Sequence, residues 1–268
     1  MRSAGTAPVL LHHRVEGDGD PVLLLHSVGL DSTFWDEIAE DLADSYRVVR
    51  VDLRGHGRSP VPPRPWRMED LAGDVHRTLS ELGLAPAHVV GQSFGGLVAQ
   101  ALVLDHPGDV RSVVLSGTSC TTSPEAREIF LGRAAAARAG GMEAVAEAAI
   151  DRWFTPPFMA DPVVGRVRAR LLADDPEAWA RTFEAIAGHD TLQRLGEVRV
   201  PCLVVTGDAD VATPPHFAEE MASAIPGAEL RLLPGVPHMG PFERPDLFGP
   251  LLASFFAAVP RSRRVTDA

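Results

Sequence analysis

No lysine occurs anywhere in the 268 residues, so all 25 basic side chains are arginine. That absence removes Schiff-base chemistry, a pyridoxal phosphate anchor and the lysine of a phosphate-binding loop in one step. Cysteine is nearly as scarce. Cys120 and Cys202 stand far apart, which suits neither a disulfide framework nor a metal knuckle, and a reducing cytoplasmic compartment is expected. No H-E-x-x-H, paired C-x-x-C or G-x-G-x-x-G behind a strand is present, so metal and dinucleotide sites have no sequence support and no cofactor is expected. No apolar run approaches the roughly 20 residues that a membrane-spanning helix needs. The N-terminal Met-Arg-Ser-Ala-Gly-Thr-Ala-Pro lacks an apolar signal core, so the chain is expected to be soluble and unexported, with no membrane partner. A net charge of −11 argues against a nucleic-acid partner, because phosphate binding needs a basic stripe. The cluster Arg261, Arg263 and Arg264 reads as a solvated tail.

What is present is an alternation of strand and helix patterns. Val9 to Val15 and the apolar run Val22 to Leu25 read as strands, and Asp31 or Ser32 can cap a helix with Phe34, Trp35, Ile38 and Leu42 on one face. Tyr46 to Val51 is the next strand, followed by a glycine-rich loop from Asp52 to Ser59 and a helix from about Met68 to Leu82. Strands at Ala87 to Val90 and Arg111 to Leu115 flank a further helix. From 120 to 196 the strand pattern stops, and helical segments around Ala134, Ala144, Val167 and Ala180 are broken by Thr155-Pro-Pro157 and Asp161-Pro162. The pattern resumes with a strand at 201–206, a helix at 214–225, a strand at 229–233 and a closing helix at 245–259. An α/β fold is expected, with a mostly parallel central sheet flanked by helices. Its core should comprise residues 1–119 and 197–268, with 120–196 inserted as a helical cap or lid over the C-terminal edge of the sheet.

The chemistry centres on Gly91-Gln-Ser93-Phe-Gly95, a strand, a sharp turn and then a helix. In such an elbow the serine is strained, its hydroxyl is exposed at a helix N-terminus, and a Cβ at either glycine would collide with neighbouring backbone. A serine hydroxyl becomes nucleophilic only when a histidine takes its proton and a carboxylate orients that histidine. Gly207-Asp-Ala-Asp210 and Pro237-His238 follow the last two strands, in the order serine, acid, histidine. Asp210 is the expected acid, with Asp208 as the alternative, and His238 the expected base. The backbone N–H of Phe94 and, from the loop His26-Ser-Val28-Gly29, that of Val28 are the expected oxyanion donors. His26 can brace that loop, and His56 reads as a structural loop residue. His12, His13, His76, His88, His106, His189 and His216 read as surface or structural residues.

With Asp52-x-Arg54-Gly55-His56-Gly57-x-Ser59 added to these motifs, the whole chain resembles the α/β-hydrolase superfamily, and within it the 3-oxoadipate enol-lactonases. The closer likeness rests on Ser27 to Trp35, on Gly140 to Ala144 with Arg152 to Pro156, and on Ala212 to Pro215. It implies a hydrolase of small lactones or esters, with Trp153 either lining the substrate pocket or filling the lid core. Because such a lactone carries a carboxylate, it also implies a pocket arginine, with Arg133 and Arg152 as candidates and His26 beside them. His26 stands where those lactonases are expected to carry asparagine, and Phe94 where they carry methionine or leucine. Two rival expectations use the same fold: carbon–carbon bond cleavage by the same three residues, and a ligand-binding protein whose triad is idle.

Overall fold

The computed structural model describes residues 7–260, so the arginine cluster at 261–264 and the first six residues lie outside the described part. Seven strands form one sheet: β1 (His13–Glu16), β2 (Asp20–Leu25), β3 (Tyr46–Val51), β4 (Ala87–Gln92), β5 (Val110–Ser116), β6 (Cys202–Gly207) and β7 (Glu229–Leu233). Their order is β1-β3-β2-β4-β5-β6-β7, with only the β1–β3 pair antiparallel. β4 and β6 are buried throughout, as strands covered on both faces must be, whereas the edge strand β7 is largely exposed.

The connections are α1 (Asp36–Ala43), α2 (Met68–Leu82) and α3 (Phe94–Asp105) early in the chain. Later come α4 (Pro124–Gly140), α5 (Ala146–Trp153), α6 (Pro162–Leu172), α7 (Pro176–Ala187), α8 (Pro215–Ala224), α9 (Gly240–Glu243) and α10 (Pro245–Ala258). The chain steps one way along the sheet from β2 to β3 and the other way from β3 to β4. Right-handed crossovers therefore place α1 on one face and α2 and α3 on the other. The reversal leaves a crevice between the C-terminal ends of β2 and β4, which is where open α/β sheets bind ligands.

Segment 120–196 contributes no strand; α4 to α7 fill it, and α4 packs along α7. An isolated antiparallel bridge between Thr121 and Asp190 pins its two ends together beside the sheet. Ser123, Asp161 and Asp175 each accept a backbone N–H at a helix start, with proline next in sequence. α2 spans the residues its sequence predicts, because Gly83 ends it in a left-handed conformation (φ 64°).

The first strand is shorter than the expected 9–15. Three residues before it spend their N–H groups on side chains: Val9 on Asp74 (2.6 Å), Leu11 on Thr78 (3.1 Å) and His12 on Ser59 (2.9 Å). Asp74 also holds the Arg54 guanidinium through two 2.6 Å bonds, both side chains being fully buried. The loop after β3 is thereby fixed under the crevice.

Candidate active site

Ser93 directly follows β4 and is the one non-glycine residue with positive φ among the described residues (φ 54°, ψ −113°). The glycines around it have no freedom to change. A Cβ on Gly91 would lie 2.3 Å from the Gly95 carbonyl oxygen, and one on Gly95 would lie 2.3 Å from that of Leu25. Such a turn costs roughly 1–3 kcal/mol and must be held by its surroundings. Here the Ser93 N–H donates to the Ser116 carbonyl (2.8 Å), and the Thr118 hydroxyl donates to the Ser93 carbonyl (2.8 Å).

The strand ends bring the other two expected residues to this turn. His238 Nε2 lies 3.0 Å from Ser93 Oγ, and its Nδ1 lies 2.9 Å from Asp210 Oδ2. His238 and Asp210 are buried. Asp210 also accepts the backbone N–H groups of Ala212 (2.9 Å) and Thr213 (2.8 Å) and the Thr213 hydroxyl (2.8 Å). Burial alone would raise the Asp210 carboxyl. The attraction of His238, with hydrogen bonds from His238 and Thr213, outweighs burial and holds it below the usual range. Asp208 is exposed and accepts the Gly235 N–H (2.6 Å), so it braces the turn after β7 and lies away from the imidazole.

Two sets of contacts that the sequence reading does not contain hold the imidazole in place. Gln92 Nε2 donates to the His238 carbonyl (2.7 Å), while its Oε1 accepts the Ser116 hydroxyl (2.6 Å). The Met239 N–H donates to the Trp153 carbonyl (3.0 Å), and Glu243 accepts the Thr155 N–H (3.1 Å) and hydroxyl. Gln92 occupies a variable position of the elbow motif, and the α5 contacts join residues distant in sequence; no local pattern marks either.

A cavity of about 550 Å3 opens over Ser93 and His238. Val28 and Phe94 line it, from the loop after β2 and the first position of α3, where N–H groups have no intrahelical partner. Trp153 is buried and also lines it, so the two expectations for that residue coincide. Arg133 and Arg152 enter the same cavity, whose lining contains no aspartate or glutamate among the described residues. Arg133 lies over the rings of Phe130 and Phe183, 5.6 and 5.5 Å from their centroids, and no carboxylate pairs with it among the described residues. Burial, and then repulsion from Arg152, lower its pKa. Arg152 is exposed, and its guanidinium donates to the Val211 carbonyl (3.3 Å).

His26 does not reach the cavity. It is fully buried, its Nε2 accepts the Leu53 N–H (2.8 Å) and its Nδ1 meets the Ser27 carbonyl (2.8 Å). Both nitrogens are committed to backbone, so it braces the loop carrying Val28 and is not placed to touch a substrate. Desolvation keeps this ring neutral by lowering its pKa. His56 packs between His26 and Phe94 (5.2 and 5.5 Å), and burial pushes it down to about 3. The same loop is tied to α6 by Arg170, which reaches Asp31 (3.0 Å) and Asp174. Burial lifts Asp174 to about 8 despite that neighbour, and its Oδ2 is buried without a hydrogen-bond partner.

Comparison with known proteins agrees with this architecture. Residues 20–245 match the model of a family described as alpha/beta hydrolase fold. The chain is 30% identical to 3-oxoadipate enol-lactonase 2 of Acinetobacter baylyi, over 90% of each chain. The enol-lactonase structure from Burkholderia xenovorans superimposes with a TM-score of 0.88 at 34% identity, covering 92% of this chain and 96% of that one. A thermophilic esterase from Thermogutta terrifontis, with malate bound, also gives 0.88, at 31% identity over 93% of each chain. Among the described residues no helix is long and apolar enough to cross a membrane.

Proposed function

Since the chain belongs to the alpha/beta hydrolase fold family, we propose that it is a serine hydrolase that opens a small lactone or carboxylic ester bearing a negative charge. The reading is carried by the unbroken hydrogen-bond chain from Ser93 through His238 to Asp210, at 3.0 and 2.9 Å. In the first step Ser93 Oγ attacks the substrate carbonyl as His238 Nε2 takes its proton. Asp210 keeps the other ring nitrogen protonated and stabilises the imidazolium. The negative oxygen of the tetrahedral intermediate lies toward the N–H groups of Val28 and Phe94. His238 then returns the proton to the departing alkoxide, leaving an acyl group on Ser93. For a lactone that alkoxide stays tethered to the acyl group. Water, deprotonated by His238, attacks the acyl carbon and frees Ser93.

The helical segment 120–196 acts as a cap over this centre. Arg133 and Arg152 supply the positive charge, and the apolar lining admits a compact carbon skeleton. The Acinetobacter and Burkholderia relatives are enol-lactonases by name, which fits a lactone as the substrate class.

An alkyl phosphonate probe should label the native chain once, at Ser93, and Ser93→Ala should lower kcat by about a millionfold on an activated ester. Near-normal turnover by that variant refutes the assignment. Product analysis on candidate lactones should give one product, whereas two products would indicate carbon–carbon cleavage.

A further inference from the structure

At the edge of the sheet opposite Ser93, three side chains with metal-ligating atoms come together. β4 and β5 run parallel, with Ala87 opposite Val110 at one end and Gln92 opposite Ser116 at the other. Ser93 leaves the second end. The first end is flanked by His76 on α2, His106 at the close of α3, and Asp109 in the 3₁₀ turn that leads into β5. His76 Nδ1 lies 2.6 Å from Asp109 Oδ2, and the His106 ring stacks on that of His76 with centroids 4.2 Å apart and planes 8° from parallel. One ligand atom from each residue lies within 4.8 Å of the other two. The backbone fixes this spacing: the His106 N–H donates to Leu102 (2.8 Å), and the Asp109 N–H donates to His106 (3.0 Å).

We propose that His76, His106 and Asp109 bind a divalent transition-metal ion of the zinc type. Two imidazole nitrogens and a carboxylate oxygen form a borderline donor set that suits zinc, whereas magnesium and calcium take oxygen ligands. Tetrahedral zinc needs ligand atoms about 3.3 Å apart, given metal–ligand bonds of about 2.0–2.1 Å. Closing onto an ion therefore requires the His106 ring to turn out of its stack, which its half-exposed position allows. Water fills the fourth position. The bound ion would join the middle of α2 to the α3–β5 junction and would take no part in hydrolysis. The pattern escapes a sequence search because His76 comes from a different helix, far before His106 and Asp109 in the chain.

The test uses the full chain without a histidine tag, stripped with a chelator and titrated with zinc chloride in a calorimeter. One equivalent should bind, and the melting temperature should rise with it. His106→Gln and Asp109→Asn should each weaken binding by at least about tenfold, while His216→Gln, at an exposed histidine elsewhere, should leave it unchanged. Ester turnover should be unaltered in all of these variants, which also reports that they are folded. Should Asp109→Asn unfold, His76→Gln replaces it. Absence of saturable binding, or binding that survives the substitutions at 76 and 106, overturns the proposal.

Discussion

The side-chain amide of Gln92 donates to the backbone carbonyl of His238 at 2.7 Å. The residue immediately before Ser93 thus grips the loop that supplies the imidazole, so one buried amide sets the distance between two residues 145 positions apart. Gln92→Ala should lower kcat on a p-nitrophenyl ester about 10- to 100-fold, since misplacements near 1 Å cost on that order. KM should stay almost constant. The Ser116 hydroxyl and the His238 carbonyl would both lose a partner, so urea unfolding should show a loss of about 1–3 kcal/mol. A stability loss with unchanged kcat would reduce Gln92 to a packing role.

Among the described residues Arg133 has no acidic partner, and it faces the cavity beside another cation. Arg133→Met keeps much of the apolar stem and removes the charge. KM should rise about 10- to 100-fold for a lactone or ester bearing a carboxylate, the range a charged hydrogen bond supplies. A neutral acetate ester should be little affected, and the folded state should be no less stable. Equal losses on both substrates would exclude charge recognition.

Asp210→Asn should reduce kcat about 10⁴-fold, because an amide cannot stabilise an imidazolium and presents the wrong hydrogen-bonding partner to Nδ1. The depressed carboxyl of Asp210 contributes stability that is complete above its unfolded value of about 3.9 and fades as pH falls through the lower folded value. The stability difference between native chain and variant should accordingly shrink only in strong acid. Denaturant melts at pH 3 and pH 7 check this, and a difference that shrinks between pH 7 and pH 5 contradicts it.

Asp174 behaves in the opposite sense, being raised to about 8. Between the unfolded carboxyl value and that pH, the folded chain holds a proton that the unfolded chain has lost. Stability therefore falls as pH rises, by up to about 1.4 kcal/mol per unit, and levels off above about pH 8. Asp174→Asn should remove this slope, which unfolding at pH 6 and pH 9 would measure. Parallel pH profiles for native chain and variant would refute it.

Ser93 and Asp210 can be nominated from the sequence because each sits just beyond a buried apolar strand, β4 or β6, and His238 because it is the histidine that follows the last strand, β7. A parallel sheet then delivers the three loops to one edge. Between Asp208 and Asp210 the G-x-x-D form of the loop favours Asp210, and the structure has Asp210 Oδ2 2.9 Å from His238 Nδ1 while Asp208 accepts the Gly235 N–H. Gln92 and the Arg170–Asp31 contact are invisible in the sequence because their partners are set by tertiary packing, not by spacing. The opening strand is shorter than its sequence pattern suggests because an apolar run cannot reveal that side chains at 59, 74 and 78 take the N–H groups of His12, Val9 and Leu11.

The bond from Met239 to Trp153 and the clasp of Thr155 by Glu243 make the end of α5 and the residues just after it part of the frame around His238. An engineer exchanging segment 120–196 with that of a relative would be altering the placement of His238 as well as the lining of the cavity. A chimaera that transplants residues 146–155 without the acceptor at 243 inherits a histidine loop with one anchor fewer, and its turnover will reflect that seam before it reflects the new pocket.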